Sequence, residues 1–491
     1  MGAIAGAGER GLLASTAVLA GSVLVLAAAI LTDGKVKETA VVVGLVTIAA
    51  VAYRVLLEWR MLVAGLLLLV LFIPIKRYSL PASLPFELEP YRMFVAFILL
   101  GWLGSLLVDP RVRLRGTGLY GPLVLFTAAI SASELANPGR VGELGSYVAK
   151  SLTVTASFIL LLFLLPSVIR TRADVDLILK VLVCGGTVVA ATLLFERRFH
   201  YNVFDHFQGV VPFLRQDESV SSLFGSEFRL RVIGSAQHPI AMGAATAILV
   251  PPALYLAMTT KARRWWIPVV VLGIGTIATA SRTAFLMLLV AAIVLLALRW
   301  SELKRLWPAV IPLAIATWAA APGAVGTLRA TLFPLGDLLN EQRTVVPGNE
   351  ALANGRLADV GPALAEYSRQ PLFGQGFGTR ITGFDEPFIN AAILDNQWLV
   401  TLLETGALGA LALAWLFARV LRRLVGLARA DPSPAGWLAA ALTASIAAFG
   451  LGMFTFDAFV FVQVTFLFFF LLGVAGSLIG GAESRERAAS A

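Results

Sequence analysis

The stretch SRTAFLMLLVAAIVLLALR, residues 281–299, decides the fold. No charge interrupts the apolar run between Arg282 and Arg299, so it reads as one helix crossing a membrane with a guanidinium left at each end. Similar runs recur along the chain at roughly 12–32, 39–53, 61–75, 92–108, 117–136, 147–169, 176–195, 239–258, 265–280, 283–299, 306–321, 396–418, 436–454 and 458–479. Of the 491 residues, 58% are hydrophobic and only 14% charged, whereas a soluble domain charges about a quarter of its residues. Mean hydropathy is +0.83. The expected fold is an all-α polytopic membrane protein with 12–14 transmembrane helices in a single integral domain, 1–491. The lower counts apply if the short runs at 39–53 and 61–75, or the closely spaced last pair, merge. The first run follows Glu9 and Arg10 and is succeeded by many others, so it reads as a first helix rather than a cleaved signal.

Alternate loops carry the positive charge: Arg54 and Arg60; Arg111, Arg113 and Arg115; Arg170 and Arg172; Lys261, Arg263 and Arg264; Arg299, Lys304 and Arg305; and Arg419, Arg422, Arg423 and Arg429. The positive-inside rule makes these loops cytoplasmic and places both termini on the same side. The remaining loops, 76–91, 137–146, 196–238 and 322–394, are then extracytoplasmic, and the last is long enough to hold a site. Within it, residues 356–370 place Leu357, Val360, Leu364 and Tyr367 at helical spacing, which predicts an amphipathic helix on the membrane with Pro362 near its start. Cys184 is the only cysteine, which excludes internal disulfides and cysteine-rich zinc sites. No cofactor or metal is expected: Asp174-Val-Asp176 reads as a helix cap. The excess of 39 Lys and Arg over 30 Asp and Glu follows membrane topology and lipid headgroups, not nucleic acid.

Charge inside a bilayer is costly, so charges at span ends without a topological role are informative. Arg231, Arg282, Arg356 and Asp395 qualify, with Arg229 the nearest competitor of Arg231. Arginine suits a diphosphate, because its planar fork donates paired hydrogen bonds and keeps its charge. Asp395 opens Asp395-Asn396-Gln397-Trp398-Leu399 at the head of an apolar helix, where it could cap that helix or accept a proton from a hydroxyl. Glu404, nine residues on, falls on the opposite face of an ideal helix, so it is expected to be a buried partner of an arginine rather than half of a catalytic pair. His238 before Pro239 reads as a satisfied polar group at a helix start. Gly374-Gln-Gly376-Phe-Gly378 follows no strand and is expected to form a tight turn, not a nucleotide loop.

Four pieces in order resemble the O-antigen ligase and polymerase superfamily of bacterial cell envelopes. They are Arg231-x-x-Gly234 with Pro239 beyond; Ser281-Arg282-Thr283; Arg356 leading to Pro371-Leu-Phe-Gly374-x-Gly376; and Asp395-Asn396-Gln397-Trp398-Leu399 with Glu404-x-Gly406, spanning roughly 225–420. The resemblance implies an inverting, metal-independent glycosyltransferase in the plasma membrane, acting at its outer face on a polyprenyl-diphosphate-linked sugar or oligosaccharide. It implies that Arg231, Arg282, Arg356 and Arg229 hold the diphosphate and that Asp395 activates a glycan or lipid-glycan acceptor. Well-known ligases carry histidine in a His-Asn-x-x-Leu setting where this chain has Asp395. A flippase for the same lipid, or a peptidoglycan-polymerase-like enzyme, are the rival readings. Against the flippase, no internal repeat is visible.

Overall fold

Twelve of the fourteen apolar windows coincide with helices in the computed structural model, which describes residues 57–80, 89–209, 211, 214–216, 231–260, 262–320, 360–380 and 394–490. The windows 12–32 and 39–53, and the candidate residues Arg229 and Arg356, lie outside the described residues. In chain order the helices are α1 (Trp59–Phe72), α2 (Pro90–Val108), α3 (Tyr120–Ala136), the short α4 (Pro138–Glu143), α5 (Gly145–Val168), α6 (Arg172–Phe199), α7 (Pro239–Thr259), α8 (Trp266–Ala278), α9 (Arg282–Leu303), α10 (Val310–Ala320), α11 (Val360–Tyr367), α12 (Gln397–Ala430), α13 (Pro434–Gly452) and α14 (Val462–Ser490). Two-residue strands, β1 (Tyr78–Ser79) and β2 (Arg215–Gln216), pair antiparallel. The chain is thus an all-α polytopic membrane protein. Eight spans among the described residues are long and apolar enough to cross a membrane, with α1 and α3 shorter apolar helices. At 1.5 Å per residue the 13 residues of α8 rise only about 20 Å, short of a hydrocarbon core of about 30 Å.

Burial separates an inner from an outer set. The apolar windows of α7, α13 and α14 are 83%, 83% and 89% buried inside the protein, whereas that of α2 is 28% buried. Inner helices can be apolar all round because other helices cover them. Outer ones expose Leu100, Leu103 and Leu107 on α2 and Ile293 and Leu296 on α9, an apolar surface that suits lipid. The central packing is aromatic: Phe449 stacks on Phe468 with ring centroids 4.0 Å apart, and Phe158 stacks on Phe469 at 5.1 Å.

Local signals fix several helix ends. Thr171 and Asp174 form a reciprocal capping box at the head of α6, as expected for the Asp174-Val-Asp176 segment, while Asp176 accepts from the Tyr255 hydroxyl at 3.1 Å. The His238 ring nitrogen accepts from the Ile240 N–H at 3.1 Å and caps α7, the structural role read for it in the sequence. The helix expected inside the long loop is present as α11, with Leu357 of its expected apolar stripe outside the described residues. It covers Val360–Tyr367, buries Ala363 against Leu394 and Leu403, and leaves Leu364 exposed. Packing against α12 selects the small side chain for the close face.

Candidate active site

The site begins with a broken helix. Within α12, Gly406 has φ 67° and ψ −168°, a conformation that a side chain forbids. The break frees backbone groups on both sides, and at membrane depth these need partners. The segment after α11 supplies them. Gln375 N–H donates to the Leu403 carbonyl at 2.9 Å, and Ala407 N–H donates to the Pro371 carbonyl at 2.8 Å. The Ser133 hydroxyl donates to the Glu404 carbonyl and accepts from the Gly376 N–H at 3.1 Å. A Cβ on Gly374 would lie 2.5 Å from the Glu404 carbonyl carbon, and one on Gly406 would lie 2.2 Å from the Leu372 oxygen. The Gly374-x-Gly376-x-Gly378 run is therefore a loop pressed into a helix break, with φ of 71°, 105° and 70° at the three glycines.

That insertion turns Glu404 into a cavity wall. Its carboxylate accepts from the Gly378 N–H at 3.1 Å, and no arginine lies within ion-pair distance among the described residues. The expected arginine partner is thus a backbone amide, with Arg380 and Arg140 close enough for their charges to act on it. Arg380 itself pairs with Glu366 of α11 at 2.6 Å, and Arg140 donates to the Gln375 side chain at 3.0 Å.

A second acid comes from the turn between α13 and α14. Asp457 faces the same cavity, of about 200 Å³, whose charged lining comprises Glu404 and Asp457 against Lys76, Arg92, Lys150 and Arg380. The Asp457 Oδ1 is buried with no hydrogen-bond partner among the described residues. Burial, and next the charge of Asp395, push the Asp457 carboxyl up to about 7, with Lys76 and Arg380 acting the other way. The turn is fastened by the conspicuous motif itself. Gln397 N–H donates to the Met453 carbonyl at 2.8 Å, the Gln397 side-chain oxygen accepts from Phe459 N–H at 2.6 Å, and the Trp398 indole donates to the Gly450 carbonyl at 3.0 Å. The cap of α12 is Asn396, whose side chain accepts from Leu399 N–H at 3.2 Å. Asp395 therefore does not cap the helix; it stands one residue before the cap, beside Asp457. Because residues 395 and 396 are not helical, the opposite-face argument does not separate Asp395 from Glu404, and Asp457 lies within electrostatic reach of both.

The cations arrive from three other helix ends. Lys76, after α1, has φ 60°, and its backbone N–H donates to the Glu89 carboxylate at 2.6 Å. Burial, and then Lys150, lower its ammonium below the ordinary lysine value. Arg92 opens α2 and pairs with Glu89 at 2.8 Å. Lys150, in the first turns of α5, is exposed and pairs with no acid among the described residues. None of these four cations, and not Asp457, stood out in the sequence.

Of the arginines singled out in the sequence, the two described, Arg231 and Arg282, lie at the same end of the bundle but do not line this cavity. Arg282 is the first residue of α9, behind the Ser281 cap, and the neighbouring Thr283 accepts from the Thr455 hydroxyl at 2.9 Å, two residues from Asp457. Arg231 is exposed at the start of a segment held by Glu196, which accepts from Ile233 and Gly234 N–H at 3.1 and 2.9 Å. The buried Arg77 donates to the Gly234 carbonyl at 2.8 Å and pairs with Asp205.

An apolar bundle with a charged cavity at one end of its helices defines a membrane protein whose site combines carboxylates with cations. Residues 267–414 match the family model described as O-antigen ligase, and over that segment the resemblance to the O-antigen ligase and polymerase superfamily holds. The match takes in Arg282, the loop against the α12 break, Asp395 and Glu404. A search of curated proteins found no match.

Proposed function

We propose that this protein transfers a sugar or oligosaccharide from a polyprenyl diphosphate to an acceptor hydroxyl in one inverting step at the extracytoplasmic face. The observation that carries the reading is the cavity balance, four cations against two carboxylates, in a chain whose O-antigen ligase segment supplies part of its wall. A surplus of two positive charges suits a diphosphate, and Lys76 and Lys150, neither held in an ion pair with an acid among the described residues, keep donors for it.

In this mechanism the acceptor oxygen attacks the anomeric carbon as the bond to the diphosphate oxygen breaks. The acceptor proton passes to the Asp395–Asp457 pair. Asp457 takes it, because a carboxylate whose proton affinity lies near neutrality both ionises and accepts at working pH. Burial, and next the neighbouring charge of Asp395, raise that affinity. Lys76, Arg92, Lys150 and Arg380 stabilise the charge growing on the leaving diphosphate. Arg231 and Arg282, at the same end but outside the cavity lining, serve the approach of the donor. No residue of this scheme calls for a metal.

The test is incubation of the reconstituted protein with a polyprenyl-diphosphate oligosaccharide, with products separated by length. Repeated addition to one lipid supports polymerisation, and single transfer to a second acceptor supports ligation. Movement of the intact lipid across the bilayer without bond exchange would replace the reading with a flippase.

A further inference from the structure

The opposite end of the same helices holds a larger cavity. Lys150 and Pro166 belong to α5, and 16 residues of helix separate them by roughly 24 Å, so the two cavities sit at opposite ends of the bundle. The second has a volume of about 630 Å³, within the range of small-ligand sites, and three guanidiniums line it: Arg115, Arg170 and Arg172. Its other wall is apolar, formed by Ile169, Val175, Leu438 and Val474. Nothing in the glycosyl-transfer reading uses it.

The position of each cation is built. Arg115 sits on a loop pressed onto α14: a Cβ on Gly480 would lie 2.1 Å from the Gly116 carbonyl oxygen, so only glycine admits the approach. The Arg419 side chain donates to the Gly118 carbonyl, and the Tyr120 hydroxyl donates to the Arg115 carbonyl. Arg170 and Arg172 flank Thr171, the α6 cap, and Asp174 holds that turn by accepting from Arg170 and Thr171 N–H at 3.2 and 2.9 Å. The nearby acids are engaged elsewhere. Asp174 serves the capping box, Asp109 pairs with Arg111 at 3.1 Å, and Glu483 pairs with Arg423 at 3.2 Å. Arg172 also lies by Tyr255 and Asp176, which leaves Arg115 and Arg170 as the less committed pair.

We propose that this cavity binds a phosphate-bearing anionic ligand, with the phosphate on Arg115, Arg170 and Arg172 and any hydrocarbon portion along the apolar wall. Basic pockets between membrane helices take anionic lipid headgroups by this chemistry, since guanidinium forks match phosphate oxygens. An anionic phospholipid and a free phosphate or diphosphate share it, and the apolar wall is what distinguishes them.

The test is native mass spectrometry of the purified full chain in detergent, titrated separately with phosphatidylglycerol, with phosphatidylcholine of the same acyl chains, and with inorganic pyrophosphate. The expected result is retention of phosphatidylglycerol about tenfold or more above phosphatidylcholine, reduced about tenfold or more in the double variant Arg115→Gln/Arg170→Gln. Arg111→Gln, an exposed arginine at the same end and outside the cavity, should retain the lipid as the unmodified chain does. Pyrophosphate binding that is lost in the double variant, without selective lipid retention, assigns the site to a free phosphate ligand. Equal retention of both lipids together with no pyrophosphate binding, or retention unchanged in a double variant that melts normally, overturns the proposal.

Discussion

The two ends of this bundle treat charge in opposite ways. At the end that carries Arg115 and Arg170, α6 starts in a capping box and α13 behind the Ser433 cap, and the cavity lining holds arginines without a carboxylate. At the other end α12 is broken at Gly406, a loop fills the break, and acids stand among the cations, one of them with a buried oxygen lacking a partner. The first arrangement is what topology and lipid headgroups favour, and it costs the fold little. The second costs stability and persists only where surrounding structure enforces it, the usual signature of a functional site.

The sharpest way to break this contrast is Asp457→Asn. If the site end bears the chemistry, transfer should fall by about 10²- to 10⁴-fold, the usual worth of a general base, with donor binding retained. The folded-state proton affinity of Asp457 is raised, so the folded chain binds more protons than the unfolded one between the ordinary carboxylate range and about 7. Stability from this group is thus greatest at low pH and declines as pH rises through about 7. The asparagine variant should therefore melt no lower than the unmodified chain at pH 8, which a thermal scan checks.

Next in size is Gly374→Ala, which forces a methyl against the Glu404 backbone. It should destabilise by about 1–3 kcal/mol or more and release the loop from the α12 break, read as a lowered melting temperature and new protease sensitivity within 371–378. Lys150→Ala should raise the KM for the lipid donor by about tenfold while Arg111→Gln at the opposite end leaves it unchanged, measured by donor titration. Arg282→Ala should have the smallest effect of the set, below that of Lys150→Ala, because Arg282 stands outside the cavity lining. An Arg282 effect exceeding the Lys150 effect would move the diphosphate toward α9.

Most of the helical order was legible, because a membrane helix needs only a long apolar run and leaves little for tertiary context to decide. Within the site the candidates read from the sequence part company: Asp395 stands beside Asp457 at the cavity, whereas Arg231 and Arg282 lie outside its lining. Of the two roles open to Asp395, helix cap or proton acceptor, the cap belongs to Asn396, and only backbone geometry separates two adjacent residues that can each cap. Gln397 and Trp398, two letters of the motif in the sequence, fasten the Asp457 turn in the structure. Asp457 itself lay in the gap between two close apolar windows, where a lone acid resembles a short surface loop. Lys76, Arg92, Lys150 and Arg380 were illegible together, since they come from separate segments that only packing unites. The glycine run gave a turn signal, but its purpose, close approach to a broken helix, needed the partner helix in view.

The most direct measurement is the pH profile of kcat/KM for transfer, taken on the unmodified protein and on Asp395→Asn. With Asp457 as base, its proton affinity raised by burial and next by the charge of Asp395, activity should rise with pH through about 7, and removing Asp395 should move that rise to lower pH. A rise that stays in place in Asp395→Asn, or a profile flat from pH 5 to 9 in the unmodified protein, would contradict the coupled pair on which the account rests.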